Sequence, residues 1–309
     1  MFSVKIIADS LAPSKKRLTT YEVTYERMIH AELLTHRMLS RNSSSSRAIP
    51  IGKMLDRVKN DPVVPIWWGL NEKGMQSYTE APPELQEKGK AVWLRARDQM
   101  VAAALELSEL GFHKQIANRL VEPFMWITVV VSSTTWSNFF GLRDHVKAEP
   151  HFQRLAKQMR AARAASVPQR LHAGEWHLPY IYPEDHALAK QMVLQEWGQP
   201  ELTAAGICDE AGWYDDRTVA SKDLRSILAK VSAGRVARVS YLTHDGRRDL
   251  KEDIALCERL ASEEPMHASP LEHVAMALDT QEPSGNFKGF KQLRKFFENG
   301  ESIHMSKGC

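Results

Sequence analysis

A chain of 309 residues with 43% apolar and 26% charged residues has the length for a substantial core and the composition of a folded globular protein, which excludes the disordered and fibrous classes. Its formal net charge of +3 is too small for a surface built to hold polyanions, so nucleic acid is not implied, although local basic patches can still hold phosphorylated small molecules. The cysteines, Cys208, Cys257 and Cys309, are odd in number and irregularly spaced, which fits neither a disulfide framework nor a zinc site and points to a reducing cytosol. The longest apolar run, FMWITVVV at 124–131, is too short to cross a bilayer, and the N-terminus lacks the apolar block of a signal peptide; the expectation is a cytoplasmic protein with no membrane partner.

In chain order, FSVKIIADSLA (2–12) and TTYEVTYE (19–26) cluster or alternate β-formers and predict two strands separated by the polar turn PSKKRL. A helix follows in which Ile29 and Leu33, four apart, share a face. It ends near His36 and Arg37, so the next loop leaves from a helix C-terminus, where the dipole does not help to bind an anion. Residues 50–86, including VVPIWWGLNEKGMQ, are rich in Pro, Gly and Trp and predict an ordered surface loop. Trp93, Ala96, Met100, Ala104 and Leu107 then occupy one face of a long helix that Gly111 stops. A second helical region around HKQIANRL leads into the apolar run, and AEPHFQRLAKQMRAA repeats the helical period with Phe152, Leu155 and Met159. From 166 to 230 the pattern weakens into short helices and acidic turns with no assignable architecture. The last segment, 247–279, reads as a helix, a proline-bearing turn and a strand.

The strongest candidate for chemistry is LTHRMLSRNSSSSRAIP at 34–50, which holds five serines and no acidic residue. Guanidinium forks suit phosphate bidentately, and small residues let backbone amides approach it; a solvated basic turn is the alternative on spacing alone. Arg119 and Arg143 fall in apolar surroundings where a cation needs an acceptor, and Glu122 and Asp144 are the local candidates for structural ion pairs. His267, Glu272 and His273 lack the spacing of a helical metal site, and a proline interrupts their shared face, so no metal is expected. His172, Glu175 and His177 read as structural. No Gly-x-Gly-x-x-Gly, Walker loop, Gly-x-Ser-x-Gly or Cys-x-x-Cys occurs.

THRMLSRNSSSSR resembles the signature of flavin-dependent thymidylate synthases, Arg-His-Arg, two residues, Ser, a residue, Asn, two residues, Ser, a residue, Arg. His36, Arg37, Ser40, Asn42, Ser45 and Arg47 fall in register; Thr35 replaces the first Arg and Ser43 an acidic position. IANRLVEP resembles the Ala-Arg-x-x-Leu-Pro region of the family, and WSNFFGLRDH resembles its Asn-Phe-x-x-Leu-Arg segment. ARVSY (237–241) and HASPLEH (267–273) resemble blocks that ordinarily precede the Arg-rich motif, and here they follow it, which implies a circularly permuted, phage-type member.

The resemblance implies an α+β fold with helices packed on an antiparallel-rich sheet. Residues 1–165 and 232–309 would complete one domain, with 166–231 as a linker or added helical subdomain. It assigns Glu32, Ser45, Ser46, Arg47, Arg119 and Arg143 to a pyrimidine nucleoside monophosphate, with Arg143 as the catalytic cation. It assigns His36, Arg37, Ser40, Asn42, Asn138, Ser240, His267 and Ser269 to the flavin. The implied activity is transfer of a one-carbon unit from methylenetetrahydrofolate to carbon 5 of dUMP, with FAD and NADPH, in a homotetramer whose sites draw on several subunits. For a phage-encoded chain the compartment would be the host cytoplasm. Thr35, Ser43 and Glu32, where the family usually has Gln, keep open a related methylase or hydroxymethylase acting on dUMP, dCMP or UMP. A non-catalytic flavin- or nucleotide-binding protein is a further alternative.

Overall fold

The structure is a computed structural model and describes residues 1–196, 222–243 and 249–301. The two predicted strands form an antiparallel hairpin, β1 (Ser3–Leu11) and β2 (Arg17–Glu26), with Ile6 opposite Tyr21 and an irregularity between Ile6 and Ala8. Lys15, at φ 63°, takes the left-handed conformation that closes the turn between them. The other two antiparallel strands are β3 (Ser40–Ser43) and β4 (Trp126–Ser133), the latter paired with β2 along its whole length. A two-residue strand, β5 (Gln169–Arg170), adds in parallel to β1, giving the order β3-β4-β2-β1-β5.

Because side chains alternate across a strand, the sheet has two faces of different character. On one, Tyr21, Val23, Tyr25, Ile127, Val129 and Val131 are buried against Phe139, Phe140, Phe152, Leu155 and Met159. The helices that cover this face follow β4 in the chain. The sequence between β2 and β4 supplies α1 (His30–Leu34), α2 (Ile51–Asn60), α3 (Pro83–Glu109) and α4 (Lys114–Ala117). The covering helices are α5 (Ser137–Arg143) and α6 (Pro150–Ala165). α6 starts with Pro150 at its first turn, and the Glu149 carboxylate caps it by accepting from the Phe152 amide at 2.9 Å.

The expected surface loop at 50–86 contains α2, whose Met54, Leu55 and Val58 pack with Trp93, Met100, Ala104 and Phe124 into a second apolar cluster. That helix is short and is bordered by Pro50 and by the Pro- and Trp-rich stretch, which hid its period. Gly111, at φ 86°, ends α3 as expected, with the Phe112 amide reaching back to the Leu107 carbonyl.

The opposite sheet face is polar and is covered from the C-terminal side of the chain. A three-stranded antiparallel sheet lies there, made of β6 (Trp176–His177), β7 (Ala275–Ala277) and β10 (Phe290–Gln292); β8 (Pro283–Ser284) and β9 (Phe287–Lys288) form a small hairpin beside it. The helices of this side are α7 (Pro183–Glu196), α8 (Lys222–Arg238), α9 (Leu250–Ser262) and α10 (Leu293–Glu298). The expected helix, proline turn and strand appear as α9, a 3-10 turn (Ser269–Glu272) and β7. The stretch expected as a linker or added subdomain contributes β5, β6, α7 and the first part of α8, so its described residues pack into the two sheets and their helices. Residues 197–221 of it lie outside the described residues, as do Cys208 and Cys309. Cys257 is a free, buried thiol that burial pushes up to about 12. Among the described residues no helix is long and apolar enough to cross a membrane.

α7, α8 and α9 are joined by buried charge. Arg235 of α8 contacts Asp185 at 2.6 Å and Asp253 at 3.0 Å, and Arg238 reaches the same Asp253 at 2.6 Å. A Cβ on Gly234 would sit 2.2 Å from the Asp253 carbonyl oxygen, so only glycine permits this approach of α8 to α9.

Between the two sheets runs a continuous buried hydrogen-bonded chain: Ser10 to His177 Nδ1 at 2.8 Å, His177 Nε2 to Thr20 at 2.7 Å, Thr20 to Ser132 at 2.6 Å and Ser132 to His273 Nδ1 at 2.7 Å. Burial pushes both imidazoles down to about 3, His273 being lowered further by the neighbouring His177. Both rings are therefore neutral in the folded protein, whereas the unfolded chain protonates them below a pH of about 6.5. Stability is complete above that pH and falls as the pH drops toward 3, by about 1 kcal/mol per pH unit for each ring. Urea unfolding between pH 7.5 and 5 should show this decline, and His177→Gln should flatten it while lowering stability at pH 7.5.

Candidate functional site

The Ser-rich stretch is the edge of the sheet. β3 pairs with β4, placing Ser40 opposite Ser132 and Asn42 opposite Val130, and the chain then turns away through residues 44–49. This edge is closed by the C-terminal segment. The buried Asn42 side chain donates from Nδ2 to the Val236 carbonyl at 2.7 Å, and its Oδ1 accepts from Ser269 at 3.0 Å and Ser240 at 3.5 Å. The Ser45 amide donates to the Ser240 carbonyl at 2.9 Å. From the other side, Asn118 donates to the Ser46 and Ile49 carbonyls at 2.7 and 3.0 Å.

These contacts frame an open cavity of about 740 Å³ lined by Asn42, Ser45, Ser46, Arg47, Arg119, Ser240, His267 and Ser269, which the sequence singled out from four separated stretches. Arg27, His30 and Lys114 also line it, and the motif reading had not included them. The lining holds four permanent cations, Arg27, Arg47, Lys114 and Arg119, and no aspartate or glutamate. Lys114 is held by the Ala48 carbonyl at 2.9 Å. His30 is pushed down to about 4 by burial and then by Arg27 and Arg41, so it stays neutral at pH 7 and accepts or donates at the Tyr25 hydroxyl, 2.7 Å away. Serine hydroxyls and guanidinium forks around an acid-free wall are a donor set suited to a phosphate-bearing ligand. The volume falls in the usual range for such sites. The same donor set fits the pyrophosphate of FAD.

A second cluster forms where α1 meets α5 and α6. Arg143 donates through Nη1 to Glu32 at 2.7 Å and through Nε to His36 Nε2 at 2.9 Å, and its guanidinium lies 4.5 Å from the centre of the Phe152 ring. Accepting at Nε2 requires His36 to carry its proton on Nδ1. Burial, then Arg143 and Arg41, push this imidazole down to about 4, so it is neutral at pH 7. The local ion pair expected between Arg143 and Asp144 is absent: Asp144 pairs with Arg160 at 3.1 Å, and Arg143 finds an acceptor 111 residues away. The expected pair of Arg119 with Glu122 is present at 3.4 Å.

The remaining candidates lie elsewhere. Ser40 is buried and accepts from Gln292 at 3.2 Å and Asn286 at 3.3 Å, and Arg37 and Asn138 are exposed outside both clusters. His267 is exposed beside Glu263 at 3.3 Å while His273 is buried on Ser132, so the two rings do not share a site. His177 belongs to the buried chain, and Glu175 accepts from the His172 amide at 2.8 Å. Arg27 and Lys114 carried no motif; the available signal was a cation closing a strand and a second one five residues before Arg119.

No protein-family model matches the chain, and no curated protein matches it. Among solved structures, the chain is similar to the UMP/dUMP methylase PolB from Streptomyces cacaoi bound with 5-Br UMP, at 15% identity and a TM-score of 0.46 over 53% of this chain and 89% of that one. It is also similar to the flavin-dependent thymidylate synthase ThyX from Helicobacter pylori complexed with FAD and dUMP, at 22% identity and a TM-score of 0.35 over 47% of this chain and 67% of that one. These likenesses are partial in extent and distant in sequence, so function is argued from the cavity's own residues.

Asn42 joins the segments that build the cavity, and Asn42→Ala removes three side-chain hydrogen bonds from a buried position. At about 1 kcal/mol net for each bond, a loss of about 2–3 kcal/mol is expected from chemical denaturation at pH 7.5. Asn42→Asp, which keeps the acceptor and loses the donor to Val236, should still be destabilised.

Proposed function

We propose that this chain is a flavin-dependent pyrimidine nucleotide methyltransferase, a thymidylate synthase that transfers a one-carbon unit from methylenetetrahydrofolate to carbon 5 of dUMP. The observation that carries the reading is the cavity itself. The Ser-rich loop and the motifs near 240 and 267–269, separate in sequence, line one space that holds four permanent cations and no carboxylate. The motif order supports a permuted domain completed by residues 1–165 and 232–309.

In this reading Ser45, Ser46, Arg47 and Arg119 hold the nucleotide phosphate, and Asn42, Ser240, His267 and Ser269 face the flavin. When bound, FAD supplies the redox and one-carbon transfer chemistry, with NADPH as reductant. Arg143 presents a fixed cation to the pyrimidine, where it stabilises negative charge developing on the ring. Glu32, the neutral His36 and the Phe152 ring hold that guanidinium still, which preserves its alignment. Arg143, Arg37 and Asn138 stand apart from the cavity of their own subunit, and a homotetramer with shared sites brings them to a neighbour's.

The test is mass spectrometry of mixtures containing purified protein, FAD, NADPH and methylenetetrahydrofolate, with dUMP, dCMP or UMP offered separately. A nucleotide heavier by one methyl establishes the reaction and names its base. A hydroxymethyl product shifts the assignment to the hydroxymethylase, and no product with a bound, reducible flavin shifts it to a binding protein. Arg47→Ala should mainly raise KM, about tenfold or more, whereas Arg143→Ala should lower kcat by about 100-fold. Light scattering of the active protein should give a tetramer, and a monomer that turns over would contradict the shared site.

A further inference from the structure

Arg27 belongs to none of the motifs. It directly follows β2, and its backbone amide is fixed on the Met125 carbonyl at 2.9 Å. Its side chain is 19% exposed, compared with 55% for Arg119, so less of its freedom remains to be lost when an anion binds. It lines the 740 Å³ cavity and also an adjoining one of about 660 Å³, standing at the wall between them with Ser44 and Ser46.

One oxygen organises this wall. Glu122 Oε1 accepts from Arg27 Nη2 at 2.9 Å, from the Ser46 hydroxyl at 2.9 Å and from Arg119 Nη1 at 3.4 Å. Three donors from three segments therefore converge on one carboxylate, which offsets the repulsion of two guanidinium groups. The two outer contacts differ in strength. Arg27 is close and sheltered, while Arg119 is distant and exposed. Glu122 accounts for one of the five N–H donors of Arg27, and no other side-chain hydrogen bond or ion pair of that guanidinium is found among the described residues.

We infer that Arg27 is a further phosphate-binding residue of this site and that Glu122 is the positioning residue that aims it, together with Ser46, at the anion. The inference rests on the nucleotide reading above for the identity of the ligand. Phosphate entering the cavity draws Arg119 off its long contact, while Arg27 stays on Glu122 and offers its free N–H groups. Ser46 is kept in place from both sides, by Glu122 through its hydroxyl and by Asn118 through its carbonyl.

Calorimetric titration of the full-length protein with dUMP and with inorganic pyrophosphate tests this. Arg27→Met should weaken dUMP binding 10- to 30-fold, on the order of one charge-assisted hydrogen bond. Arg27→Lys should recover part of the loss, because charge is kept and the fork is not. Glu122→Gln should weaken binding about fivefold. The double variant should bind no worse than Arg27→Met alone, since a glutamine amide oxygen still accepts from Ser46 and the lost carboxylate charge acts through Arg27, and a purely structural role would not produce that non-additivity. Lys5→Met, which alters only the adjoining cavity, should bind as the wild type does. Wild-type affinity in Arg27→Met, or additive losses in the double variant, overturns the inference even if Glu122→Gln folds poorly. If the wild type binds pyrophosphate but not dUMP and Arg27→Met loses that binding, the anion assignment stands and the nucleotide reading falls. Binding of neither ligand by the wild type overturns both.

Discussion

The side-chain amide of Asn42 is the joint on which the cavity depends. It sits on an edge strand, where an unpaired backbone would otherwise face solvent, and it uses both ends of its amide on segments 194 to 227 residues further along. The edge strand alone would present a basic, serine-rich ribbon with no ceiling. With Val236, Ser240 and Ser269 drawn onto it, the ribbon becomes one wall of an open cavity, and the Ser45 amide is tied to the Ser240 carbonyl. Burial makes this joint directional, because each polar atom of Asn42 must be satisfied by a specific partner rather than by water.

The second organising problem is positive charge. Four cations around one cavity repel one another, and the protein manages this without placing carboxylates in the lining. Glu122 compensates from behind the wall, and Glu32 does the same for Arg143 at the second cluster. Two of the imidazoles near these cations, the half-buried His30 and the buried His36, are neutral, so they add hydrogen bonds without adding charge. The two faces of the central sheet divide the work. One is sealed by aromatic and aliphatic side chains from α5 and α6, and the other carries the polar layer on which the C-terminal segment docks.

Much of this was legible in the sequence where a period or a motif spoke for it. The hairpin strands, the long helix with its Gly111 stop, and the Phe152, Leu155 and Met159 face all follow from side-chain alternation or helical spacing. Asn42, Ser45, Ser46 and Arg47 of the Ser-rich motif line one cavity with the residues near 240 and 267–269, whereas His36, Arg37 and Ser40 do not. What stayed hidden depends on tertiary partners. α2 is a single amphipathic helix beside a proline- and tryptophan-rich stretch, and the two-residue strands β5 and β6 are too short to have a period. Local pairing placed Arg143 on Asp144, whereas the fold gives it Glu32, and no spacing rule foretells an acceptor from another helix. Arg27 and Lys114 reach the cavity only because β2 and α4 end beside it.

The long sequence separation across the Asn42 joint also has a temporal meaning. A ribosome releases the edge strand and the sheet that carries it well before it has made residues 236–240, and at roughly 5–20 residues per second the interval is on the order of 10–40 s. During that time the nascent chain can form its central hairpin and bury the apolar face under α6, but its cation-rich wall lacks the C-terminal segment that closes it. A half-made copy therefore lacks the complete cavity, which arrives late in synthesis with the segment that covers the polar face.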